Sequence, residues 1–106
     1  MEIVDQNLIA QLQEHARFHQ LDEVAAQGIL KWIADPDLDP LPVGITKGMI
    51  TGRFVSRWLC FEPQHLSYPY IDTRFDLLCG DTVVGYYRLI SRLNGDIEDD
   101  YFVINQ

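Results

Sequence analysis

The sequence is poor in cysteine and has no long apolar run. Its two cysteines, Cys60 and Cys79, fit neither a zinc knuckle nor a redox pair. We favour free thiols, and a disulfide stays open only if the two lie on neighbouring strands. No uninterrupted apolar run is longer than four residues, whereas a membrane-spanning helix needs about 20. Because the start, residues 1–5, is acidic where a secretory signal is basic, we expect a cytoplasmic protein without a membrane span.

Motifs of nucleophilic catalysis and nucleotide binding are also missing. There is no Gly-x-Ser-x-Gly, no phosphate-binding loop and no dinucleotide glycine fingerprint. Neither cysteine has a neighbouring histidine in the sequence, and Ser56, Ser67 and Ser91 have no activating context. A site assembled from distant residues stays compatible with the sequence. The absences nevertheless favour a protein that is not an enzyme.

Basic residues are scarce: 8 Lys and Arg against 16 Asp and Glu give a net charge of -8. Such a field repels phosphate backbones and anionic lipid, which disfavours nucleic acid and membranes as partners. The charge is unevenly spread, since residues 1–40 sum to -6, residues 41–93 to +2 and residues 94–106 to -4. A surface that carries both signs favours a specific protein partner.

In the first third of the chain, apolar residues recur at spacings of three and four, which predicts helices. A stripe from Leu8 to His19 predicts one helix and a stripe from Ala25 to Ile33 a second. Two helices or one kinked helix both fit, and we favour a break near residues 20–22 because the two stripes do not stay in phase.

Residues 35–48 hold three prolines and two glycines and therefore form a connection. Its Asp35, Asp37 and Asp39 resemble the opening of a calcium loop, but the turn glycine and the bidentate glutamate of that motif are missing. Residues 49–61 fit either a strand or a helix face. Their glycine and their many strand-forming residues favour a strand.

Alternation of apolar and polar residues predicts strands over 71–79, over 82–93 and over about 101–104. Gly80-Asp81 and Asn94-Gly95 supply the turns between them.

A strict two-residue turn at Asn94-Gly95 would place Leu89 opposite Asp100 and Ile90 opposite Asp99, which are poor cross-strand pairs. We therefore expect a bulge or a longer loop there.

The sequence as a whole predicts a single α+β domain over residues 1–106. One or two N-terminal helices pack on a three- or four-stranded antiparallel meander sheet, in two layers. The helical half covers about 5–34, the connection 35–48 and the sheet half about 49–105.

His15 and His19 are spaced i, i+4 on one helix face, a spacing that can hold a divalent metal. The zincin motif is missing, and a third ligand would have to come from distant His65 or a carboxylate. We favour the interpretation that these histidines lie at the edge of the apolar face of an amphipathic helix, and we predict neither a metal nor a cofactor.

Candidate partner-binding residues form two groups. The first is an acidic cluster, for which solvated residues guarding a sheet edge are the alternative. It consists of Asp96, Glu98, Asp99 and Asp100. In the second group, strand alternation places Tyr86, Arg88 and Arg92 on one face, and interfaces favour Tyr and Arg. Ordinary sheet packing is the alternative for these.

The leading hypothesis is a non-enzymatic protein-binding module, such as an inhibitor, an immunity or antitoxin-type protein or an adaptor, whose partner has a basic surface. The alternative is a small-molecule-binding domain or small enzyme. Its pocket would lie between the helices and a curved sheet, with Arg74, Arg88 or Tyr86 holding an anionic ligand. A third hypothesis is homo-oligomerisation through the sheet face.

Overall fold

The computed structural model describes residues 6–36, 38, 41–42, 44–61 and 68–105. Two helices and a short 3₁₀ turn precede four strands that form an open antiparallel sheet in the order β1-β2-β3-β4. The elements are α1 (Gln6–Phe18), α2 (Leu21–Ala34), the 3₁₀ turn (Lys47–Met49), β1 (Ile50–Cys60), β2 (Tyr70–Cys79), β3 (Thr82–Arg92) and β4 (Ile97–Ile104). The predicted α+β class, with helices followed by an antiparallel meander, is confirmed.

The two helices are separate because the chain turns sharply between them. Gln20 has φ 53° and ψ 42°, in the left-handed region that ends a right-handed helix. Asp22 and Glu23 lie in the first turn of α2, where negative charge stabilises the helix dipole. Within the described residues, neither helix has the length and apolarity that crossing a membrane requires.

The main core lies between α2 and one face of the sheet, which we call the inner face. Ala25 and Ile29 of α2 pack against buried residues of all but the last strand. The buried sheet residues of this core are Ile50, Phe75, Leu77, Tyr87 and Leu89. Burying one large apolar side chain stabilises the fold by about 1.5–3 kcal/mol, so α2 contributes much of the stability.

Helix α1 packs over only half of its length. Ala16 joins Leu21 and Ile71 in a second buried cluster, whereas Leu8 and Ile9 of the predicted stripe are about 40% exposed. The other end of the stripe packs on the β3–β4 connection.

The histidines of α1 make that contact. His15 Nε2 lies 2.5 Å from the carbonyl oxygen of Leu93, and the His19 ring packs against Gly95. A larger residue at 95 would meet that ring, and φ +95° at Gly95 also favours glycine.

Both expected irregularities occur between β3 and β4. The amide of Gly95 donates to the carbonyl of Arg92 and the amide of Arg92 to the carbonyl of Asp96. These bonds close a three-residue loop rather than the two-residue turn of the Asn-Gly signal. A register shift between Ile90 and Ser91 follows.

The shift restores the pairs that the sequence disfavours, Leu89 opposite Asp100 and Ile90 opposite Asp99. Leu89 opposite Asp100 is tolerated because the Asp100 carboxylate accepts hydrogen bonds from Tyr87 Oη at 2.9 Å and from Trp32 Nε1 at 3.0 Å. The carboxylate, the hydroxyl and the indole N–H are half-buried polar groups that need hydrogen-bond partners, and each finds one within this set.

The two cysteines do not form a disulfide. They lie on neighbouring strands, but Cys60 pairs with Tyr70 and Cys79 with Ile50, at opposite ends of the β1–β2 ladder. About nine residues at about 3.3 Å each separate them along the strands, far beyond the reach of a disulfide.

At Gly28, helix α2 lies close against the sheet. A Cβ there would lie 2.1 Å from Tyr87 Oη, so Gly28→Ala must displace the tyrosine from Asp100. We expect the variant to lose about 1–3 kcal/mol of unfolding free energy in urea titrations, although Gly→Ala in a helix ordinarily stabilises. Gly48→Ala, which meets nothing within 4 Å, is the neutral control, and a Gly28→Ala protein more stable than wild type would contradict this packing.

Candidate functional site

The candidate site is the face of the sheet turned away from α2, which we call the outer face. Strand alternation and register bring its side chains together from all four strands. They include Arg53, Val55, Ser56 and Trp58 of β1, Asp72, Arg74 and Asp76 of β2, Tyr86 and Arg88 of β3, and Asp99 and Tyr101 of β4. In the part of the chain that the structure describes, neither helix covers this face.

Two arginines oppose each other at the centre of the outer face. Arg74 and Arg88 are direct partners in the β2–β3 register, an arrangement that destabilises a sheet when two like charges meet. The conflict is relieved because each guanidinium turns to a diagonal neighbour. Arg74 lies 4.3 Å from the centre of the Tyr86 ring, and Arg88 pairs with Asp72.

The Asp72–Arg88 pair is a bidentate contact. Arg88 Nε donates to Asp72 Oδ1 at 3.4 Å and to Oδ2 at 3.1 Å, and Nη2 donates to Oδ2 at 2.7 Å. This hydrogen bonding raises the pKa of the Arg88 guanidinium. The guanidinium also lies 5.3 Å from the centre of the Tyr101 ring. A hydrogen bond with Asp99 raises the pKa of Tyr101. The Arg88 guanidinium is therefore fixed by an ion pair on one side and by an aromatic ring on the other.

One end of the outer face is closed. Arg92 pairs with Glu98 at 2.8 Å and lies 3.9 Å from the centre of the Tyr68 ring. Tyr70 and Ile90, whose positions face outward, are buried at this end. Little surface is left here for a partner.

On its β1 side the outer face is open, and we call this part the open end. A shallow groove of about 580 Å³ runs over β1 and β2 there, lined by Val55, Trp58 and Arg74 among others. The Trp58 side chain is 64% exposed. Within the described residues Arg74 has no carboxylate partner, while Arg53 reaches Asp76 at 3.2 Å. This end presents an aromatic ring and exposed guanidinium groups to solvent.

The predicted acidic cluster is divided rather than gathered in one patch. Asp96 lies in the β3–β4 loop, where its amide donates to Asn94 Oδ1. Glu98 is paired with Arg92, Asp99 lies on the outer face and Asp100 points to the inner face. Of the predicted residues, the structure brings together Tyr86, Arg88 and Arg92 on the outer face, with Glu98 and Asp99 beside them.

A second candidate site is a cleft of about 440 Å³ between α2 and strands β3 and β4. Its polar groups include Lys31, Glu23, Tyr87 and Asp100. Burial first, and then the hydrogen bond to Asp100, strongly raises the pKa of the Tyr87 hydroxyl.

The residues expected to hold an anionic ligand do not lie in this cleft. Arg74, Arg88 and Tyr86 are on the outer face, because their strand positions have the opposite parity to Tyr87. The cleft is therefore not the cationic pocket that the sequence suggested.

No group of three His, Cys, Asp or Glu side chains suited to a metal ion occurs among the described residues. His15 and His19 do lie side by side, with ring centres 4.5 Å apart, but they pack on the β3–β4 loop. Asp37 and Asp39 of the connection lie outside the described residues.

The predicted partner-binding residues do not include Trp58, Asp72 or Tyr101. Alternation places Asp72 on the same face of β2 as Arg74. Counting back from the Gly80-Asp81 turn, however, places Asp72 opposite Leu89, and only the register shift between Leu77 and Leu78 brings it opposite Ile90. Trp58 lies in the segment that fitted a helix equally well. It also follows a register shift between Phe54 and Ser56, which changes the face of every later residue.

No protein-family model matches this sequence, and comparison with curated proteins and with solved structures found no significant match. The fold and the site geometry are therefore the basis for any functional proposal.

The raised pKa of Tyr87 predicts a loss of stability in alkali. A tyrosine that ionises near pH 10 when unfolded, and well above that when folded, favours unfolding as the pH rises above about 10. Its stabilisation is complete below that pH. We expect the unfolding free energy of Tyr87→Phe to fall less steeply than that of wild type between pH 10 and 11.5, by up to about 1.4 kcal/mol per pH unit. Equal slopes in urea titrations would contradict the assignment.

Proposed function

We propose that this protein is a non-enzymatic protein-binding module that contacts its partner through the open end of the outer sheet face. The observation that carries the proposal is the exposure of Trp58 and Arg74 around one shallow groove, with the half-buried Tyr86 ring beside the Arg74 guanidinium. Trp, Tyr and Arg are the residues on which binding energy concentrates in protein interfaces. Small-molecule sites, in contrast, enclose most of their ligand.

The held geometry of the outer face supports binding. Arg74 is stacked on Tyr86 and Arg88 is tied to Asp72, so these side chains lose little rotamer freedom when a partner docks. A pre-ordered surface of this kind binds more tightly than flexible side chains of the same composition.

The division of the acidic cluster changes the expected partner. A wholly basic partner surface suited a single patch formed by residues 96–100, but these side chains point to different sides or are already paired. The open end instead offers exposed guanidinium groups and an indole. A partner that brings carboxylates and apolar groups fits this end better.

The proposal is tested by partner capture with an outer-face variant. The double variant Arg74→Ala/Tyr86→Ala removes the stacked pair and leaves the core untouched. The purified chain serves as bait in an extract of its native cells, and binding of the recovered protein is then measured by calorimetry. We expect wild type to bind and the double variant to bind at least about tenfold more weakly. Leu30→Ala, at an exposed position of α2, should bind like wild type.

Equal binding by the outer-face variant and wild type would contradict the proposal, as would recovery of no stoichiometric partner. Light scattering on the free protein tests the remaining hypothesis, homo-oligomerisation through the sheet face. A protein that is monomeric at all concentrations would exclude it.

The cleft beside α2 supports a second candidate function, binding of a small polar molecule. Its carboxylates and the Tyr87 hydroxyl favour a ligand that donates hydrogen bonds, and Lys31 adds one cation. A screen of small amines and amino acids, monitored by the indole N–H signal of Trp32 in NMR spectra, should shift that signal. An unmoved signal across the screen would remove this candidate.

A further inference from the structure

Strand β1 forms one edge of the sheet and exposes large apolar side chains on both of its faces. Trp58 and Val55 lie on the outer side, and Phe54 and Leu59 on the inner side. Each is between 44% and 64% exposed. An eleven-residue edge strand with this much exposed apolar surface is unusual, because soluble proteins ordinarily shield such edges.

The outer edge of β1 has no strand partner within the described residues, since the sheet order places β1 beside β2 alone. Strands at a sheet edge direct half of their amide and carbonyl groups outward. These groups are available to an extended segment that adds to the sheet, as in known cases of β-strand addition.

Charge separates this edge from the rest of the chain. Residues 41–61 hold three basic residues and no acidic one, whereas all other residues together hold five basic and sixteen acidic ones. Arg57 of β1 lies on the inner side and pairs with Asp22, whereas Arg53 reaches Asp76 and keeps 59% of its side chain exposed. The edge therefore combines apolar side chains with one exposed guanidinium group on an acidic protein.

The same charges argue against a second copy of this chain at the edge. A second β1 strand contains no acidic residue, so it offers no carboxylate to the exposed guanidinium of Arg53. An extended segment with carboxylates does offer one.

We infer that β1 receives an extended segment of a partner protein in which apolar residues alternate with Asp or Glu, added to the sheet as a fifth strand. The inference rests on the proposed function and names its mode of contact. Main-chain hydrogen bonds supply affinity, while Trp58 and Arg53 select the side chains. The segment bends with β1 at Val55, where the β1–β2 register shifts.

A labelled, end-blocked peptide of about twelve residues that alternates valine with glutamate is the probe, long enough to run beside the whole of β1. Fluorescence anisotropy with the full chain should show saturable binding. The same peptide with lysine for glutamate should bind at least about tenfold more weakly. A version with every second amide N-methylated should not bind, because it cannot complete the ladder.

Charge exchange tests the residue assignment. Arg53→Glu should weaken the glutamate peptide at least about tenfold and strengthen the lysine peptide. Gln11→Glu, at an exposed position of α1, makes the same change in net charge as Arg53→Gln and should alter neither. Arg53→Gln, with an intermediate loss, guards against misfolding of the charge-reversed variant, and thermal unfolding monitors the fold of each.

Hydrogen exchange locates the bound peptide. We expect the peptide to protect amides within residues 50–60 and to leave β4 unchanged. Protection elsewhere, equal binding of the glutamate and lysine peptides, or protection of β1 that rises with protein concentration in the absence of peptide would each overturn the inference. If these results fail while Arg74→Ala/Tyr86→Ala still abolishes partner capture, strand addition is wrong and the proposed function stands.

Discussion

The packing of α2 on one face of the sheet is the contact on which the rest of the structure depends. It brings Gly28 against Tyr87, and the tyrosine in turn binds Asp100 together with Trp32. Helix, central strand and edge strand β4 are thereby joined through one carboxylate. Because strand side chains alternate, the neighbours of the core residues along each strand point to the outer face, which the described helices leave open.

The outer face is shaped by a conflict that this register creates. Direct opposition of Arg74 and Arg88 would destabilise the central strand pair, and the sheet relieves it with Tyr86 and Asp72. The relief orders the two guanidinium groups at fixed positions among aromatic rings. A surface whose side chains are ordered before binding is suited to recognise a partner at a low entropy cost. Trp58 lies outside this network on the edge strand β1, and no other described element covers it.

Much of the fold follows from periodicity, and the part that does not has definite causes. Spacings of three and four predict both helices, and alternation places Tyr86, Arg88 and Arg92 together. The acidic residues of 96–100 point to different sides because the β3–β4 connection is irregular and because Asp100 turns inward to accept a hydrogen bond from Tyr87. No local sequence pattern predicts either feature. Trp58 escaped notice because residues 49–61 fit two periods, and because a register shift within β1 changes its face.

The central claim is that the face left open by α2 is the face that binds. Hydroxyl-radical footprinting of the free protein and of its complex with the captured partner tests this most directly. We expect Trp58 and Tyr86 to be oxidised in the free protein and protected in the complex, while exposed Phe18 and Leu30 of the helical layer stay reactive. Protection of the helical layer with an unprotected Trp58 would contradict it.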